Sequence, residues 1–88
     1  MARIESELRA VSITYCVVRP FVKGEGGEVI AEDPIEARSE HGALSLMRRL
    51  AFDKAGVLVS SRSGDPALGD FEDAVILGRA GDVPAELV

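Results

Sequence analysis

The chain has no tryptophan, one tyrosine, one histidine and one cysteine. Each shortage removes a class of structure or chemistry. A lone cysteine, Cys16, closes no internal disulfide, so the small secreted scaffolds held by cross-links are excluded. A lone histidine, His41, offers no His pair to a metal. With aromatics at only 5%, the core must be built from Val, Leu, Ile and Ala. Long hydrophobic runs are missing too: the longest cover about four residues, against the roughly 20 that a membrane-crossing helix needs. The first nine residues, Met1 to Arg9, alternate charged with apolar side chains and lack the apolar stretch of a secretory leader. The expected setting is cytoplasmic, with no membrane partner.

Positive charge is also scarce. Ten Lys and Arg stand against 15 Asp and Glu, for a net charge of −5. Affinity for nucleic acid comes largely from cations that neutralise phosphates, and here the basic residues are dispersed among acidic ones. No nucleic-acid partner is expected. What is present is the composition of a globular domain, with 47% hydrophobic and 28% charged residues over 88 positions. A chain of this size folds around one core. It divides into an N-terminal segment at 1–10, a single domain at 11–84 and a tail at 85–88.

Val11, Ile13, Tyr15 and Val17 alternate with Ser12, Thr14, Cys16 and Val18, the period of a strand. Pro20 is expected to end its regular pairing or to mark a sheet edge. The run Lys23-Gly24-Glu25-Gly26-Gly27-Glu28 reads as a hairpin loop. A second strand, Val29 to Ala37, is interrupted by Pro34, which predicts an edge strand, a bulge or two short pieces. Ser39 is the predicted N-cap of an amphipathic helix reaching Ala55. Ala43, Leu44, Met47, Leu50, Ala51 and Ala55 share its apolar sector. Gly56 is placed as the glycine after its end. Val57-Leu58-Val59 reads as a short strand, Ser60 to Leu68 as a turn region around Gly64-Asp65-Pro66, and Ala74 to Leu77 as the last strand. The predicted fold class is α+β, in the order ββαββ: a four-stranded, mainly antiparallel sheet with one amphipathic helix on one face. The other face is left to solvent or to a partner.

No group of residues carries a catalytic, cofactor or metal signature. Cys16 lies mid-strand without the helix N-terminus or cation that would activate a thiol. His41 falls in the first turn of the helix, far in sequence from the single cysteine. Asp65, Asp70, Glu72 and Asp73 surround a turn without the spacing of a calcium loop. The glycines at 24, 26 and 27 lead into a strand, whereas a phosphate loop leads into a helix. Two surface features remain. Arg48 and Arg49 on the helix, with Arg62 before the Gly-Asp-Pro turn, form a candidate anion contact. Phe52 points away from the apolar sector beside those arginines, as an interface residue would.

The pattern Ala55-Gly56-Val57, Ser61-Arg62-Ser63-Gly64-Asp65-Pro66, Gly69-Asp70-Phe71, Val75-Ile76-Leu77 and Gly81-Asp82-Val83-Pro84 resembles a family of small uncharacterised bacterial proteins. In that family an Ala-Leu-rich helix precedes a strand and a Gly-Asp-Pro turn. Ala43-Leu44 and Leu50-Ala51 fit that helix, while Met47 replaces a small residue. The likeness covers about half the chain and rests on structural motifs, so it implies a fold and no activity. The function expected is a non-enzymatic protein-interaction or self-associating module, a homodimer among the options, needing no cofactor. The alternative is a small-molecule or anion-binding module using the helix arginines.

Overall fold

A computed structural model describes residues 12–85. The N-terminal segment at 1–10, Val11 and residues 86–88 lie outside the described residues. The elements are β1 (Ile13–Lys23), β2 (Val29–Ala31), β3 (Ile35–Ala37), α1 (Glu40–Leu50), β4 (Gly56–Asp65), β5 (Asp70–Phe71) and β6 (Val75–Gly81). The fold is α+β, with one helix and an antiparallel sheet of six strands among the described residues.

Four strands were expected and six are found, because both outer strands are broken. β2 and β3 lie along one side of β1, and β5 and β6 along the far side of β4. The sheet therefore has four lanes, with β1 and β4 as the central pair. Pro34 breaks the first outer lane, as one of the expected alternatives had it.

Pro20 does not end β1. The strand runs on to Lys23 and keeps its register with β4, pairing Pro20 with Val57. A proline inside a central strand lacks one ladder donor. The Pro20 carbonyl accepts from Glu32 N–H at 2.9 Å, so the missing N–H also faces the β2/β3 lane. Pairing lapses there already, between Phe21 opposite Ala31 and Val18 opposite Ile35. The two prolines share one gap. Arg19 Nη1 donates to the Glu32 carbonyl (3.2 Å), and Lys54 Nζ pairs with Glu32 Oε1 (2.7 Å), which closes it.

The helix begins as predicted. Ser39 has extended backbone, and its Oγ accepts from Gly42 N–H at 3.0 Å. It stops at Leu50, short of Ala55. Its last turn tightens into bonds from Phe52 N–H to Arg49 O and from Asp53 N–H to Leu50 O. Ala55 N–H then donates to Phe21 O at 2.9 Å and draws the chain into the sheet. Gly56 is thus the first residue of β4 and not a helix stop. A Cβ there would come within 2.0 Å of the Asp82 carbonyl oxygen.

β4 is far longer than the expected Val57–Val59. It runs through Ser60-Ser61-Arg62-Ser63 to Asp65, paired with β1 from Gly56 to Gly64. The turn is confined to Pro66–Gly69, where Gly69 has φ +69° and Ala67 N–H donates to Asp65 Oδ1 at 2.9 Å. The last strand likewise continues past Leu77 to Gly81, with a bulge opposite Val59/Ser60.

The core lies between α1 and one face of the sheet. Cys16, Val18, Val57, Val59 and Ala43 are buried together, with Ala37, Leu44, Leu46, Met47, Leu50 and Leu77 packed around them. Gly78 lets the helix approach, since a Cβ there would stand 3.1 Å from Leu44 Cδ2.

Candidate functional site

Side chains alternate across a strand, so covering the Cys16/Val18 face leaves Ile13, Tyr15, Val17 and Arg19 on the opposite one. The more continuous apolar series of β1 is the one the helix does not cover. Register extends this face across the sheet. Tyr15 stands opposite Arg62, Val17 opposite Ser60, and Arg19 opposite Leu58. Beyond them come Ile76 opposite Ser60 and Arg79 opposite Leu58. The Tyr15 and Phe71 rings meet at 5.9 Å, tilted by 47°.

A groove of about 570 Å³ runs over this face, lined by Val17, Arg19, Ala31, Leu58, Ser60, Arg62, Ala74 and Ile76. Five of these are apolar, one is a hydroxyl and two are guanidinium groups. A shallower extension of about 290 Å³ adds Tyr15 and Ser61. Ile13, Phe71 and Ile76 remain 36%, 37% and 41% exposed. The face is apolar and grooved, and no helix of the described residues covers it.

Arg62 therefore does not join Arg48 and Arg49. Those two are exposed in the last turn of α1, on the other side of the sheet. Phe52 follows the helix at 89% exposure, the most exposed large hydrophobic side chain among the described residues. Arg48, Arg49 and Phe52 are near one another along the chain, and Arg62 belongs to the groove.

Sequence reasoning missed Val17, Arg19, Ala31, Leu58, Ser60, Ala74 and Ile76. The period-two series through Tyr15, Val17 and Arg19 contained the signal, since a single helix covers one face of a sheet. Reading Ser60–Leu68 as a turn hid the partner strand.

Cys16 lies on the helix side, and burial, with the charge of Glu40 adding to it, pushes its thiol pKa above the ordinary 9.0. A protonated, enclosed thiol is a poor nucleophile. Among the described residues no three His, Cys, Asp or Glu side chains are grouped to hold a metal, and no helix is long and apolar enough to cross a membrane. Comparison with family models, with curated proteins and with solved structures gave no match.

Proposed function

We propose that the chain is a small binding module that works without covalent chemistry and holds its partner against the sheet face opposite α1. The observation that carries this is the groove between Val17, Leu58 and Ile76 on a face that keeps Ile13, Phe71 and Ile76 partly exposed. Contiguous apolar surface of this kind marks contact sites.

Charge favours a different partner over a second copy. Arg19, Arg62 and Arg79 share the face, with Glu36 opposite Val17 at its β3 edge. Two copies packed face to face would set one arginine group against another, and like charges across an interface are costly. The self-associating form of the reading is thus the weaker one for this face.

A second reading rests on Phe52 beside Arg48 and Arg49, since aromatic and arginine residues are enriched in interfaces. One experiment separates the two. Partners are captured from the source cell on wild-type protein and on Ile76→Asp and Phe52→Asp variants, each checked for folding by circular dichroism. Loss of the captured species with Ile76→Asp and its retention with Phe52→Asp support the sheet face. The reverse pattern moves the contact to the helix end.

A further inference from the structure

The groove has a charge character at odds with the chain that carries it. Acidic residues outnumber basic ones 15 to 10. Yet among the described residues both charged side chains lining the groove, Arg19 and Arg62, are cationic, and none of their carboxylates lines it. Arg79, opposite Leu58, adds a third arginine at the β6 edge of the same face. Arg19 commits one N–H to the Glu32 carbonyl, which fixes the guanidinium and leaves further donors. Among the described residues Arg62 makes no ion pair within 4.0 Å, so none of their carboxylates neutralises its guanidinium.

The rest of the lining is apolar: Val17, Ala31, Leu58, Ala74 and Ile76, with Ser60 as a hydroxyl between them. The volume lies in the range of small-molecule sites, roughly 300–1,000 Å³. Guanidinium groups recognise carboxylate and phosphate oxygens with paired N–H donors. An apolar floor beside them discriminates against a bare inorganic anion, which has nothing to bury there.

We infer that the groove binds a small amphipathic anion, a carboxylate or phosphate head carried on a compact apolar body, with the head at Arg19 and Arg62 and the body over Val17, Leu58 and Ile76. This rests on the contact-face reading and narrows it to a class of ligand. Arg48 and Arg49, across the sheet, take no part.

The test uses isotope-labelled protein and soluble probes below their aggregation concentration: octanoate, octyl phosphate, acetate, inorganic phosphate and octyltrimethylammonium. Octanoate or octyl phosphate should shift the amide signals of Leu58, Ser60, Arg62 and Ile76, and affinity should fall as salt is raised. Arg62→Gln and Arg19→Gln should each weaken binding about tenfold or more, as the loss of a charge-assisted hydrogen bond does. Arg48→Gln should leave it unchanged. Equal binding of octyltrimethylammonium, signals shifting on α1 instead of β4, or no binding of either long-chain anion would overturn the inference. Should no anion bind while Ile76→Asp still releases a captured protein, the ligand class falls and the contact face stands. Should Ile76→Asp also release nothing, both fall.

Discussion

Val17 and Val18 are neighbours in β1 and serve opposite faces of one sheet. Val18 is 0% exposed, stands opposite Val59 and packs beneath α1. Val17 stands opposite Ser60 and lines the groove. Val18→Ala should cost about 2 kcal/mol or more, because it removes two buried methyl-sized groups and leaves a cavity. Val17→Ala should cost well under half of that. Urea unfolding of the two variants measures the difference, and equal losses would mean that both faces are equally buried.

The joint between helix and sheet is set by backbone proximity. A Cβ on Gly56 would reach within 2.0 Å of the Asp82 carbonyl oxygen, and one on its partner Gly81 within 2.3 Å of Ala55 O. Neither obstacle is a movable side chain. Gly56→Ala should therefore cost about 3 kcal/mol or more, or prevent folding. Gly27 also carries positive φ (+85°), but nothing stands within 4 Å of its would-be Cβ. Gly27→Ala should cost only about 1 kcal/mol, the strain of a left-handed alanine. Thermal unfolding of both proteins checks the ranking.

Residues with one dominant local preference were legible in the sequence. Ser39 capped the helix, Pro34 split the outer strand, and the alternation at Ile13–Val18 was a strand. Long-range pairing was not legible. Ser60-Ser61-Arg62-Ser63 has little strand preference of its own and is a strand because β1 lies beside it for nine paired positions, Ile13–Phe21 against Gly64–Gly56. Pro20 reads locally as a breaker and is tolerated because its missing donor falls in a gap that Pro34 makes. Gly56 reads as a helix stop, yet its smallness serves the contact with Asp82, far along the chain. Of the candidate site, Arg62 was identified by residue type but assigned to the wrong side, since its face depends on that pairing.

The cap gives a prediction of moderate size. Ser39 Oγ accepts from Gly42 N–H at 3.0 Å, while Ser39 O accepts from Ala43 N–H at 2.9 Å. Ser39→Ala removes only the first bond and should cost about 1 kcal/mol. Ser39→Asp should restore most of the loss, because it keeps an acceptor and adds charge at the positive end of the helix. Denaturant midpoints for the three proteins measure this. An alanine variant as stable as wild type would remove Ser39 from the cap.

Cys16 links burial to pH. Its thiol is pushed above 9.0, first by burial and then by Glu40. An acid whose folded-state pKa is raised stabilises the fold fully below its unfolded pKa. That contribution is lost as pH climbs through the folded value, because the unfolded chain releases the proton first. The stability of wild type relative to Cys16→Ala should thus be constant near neutrality and decline above about pH 9. Subtracting the variant's profile removes the titration of other groups common to both. Alkylation by iodoacetamide at neutral pH should be slow in native protein and should become fast in denaturant, since the thiolate is the reacting form and both it and access are restricted by the fold. Rapid alkylation of the native protein, or a difference profile that rises with pH, would place Cys16 at a reactive surface instead of beneath α1.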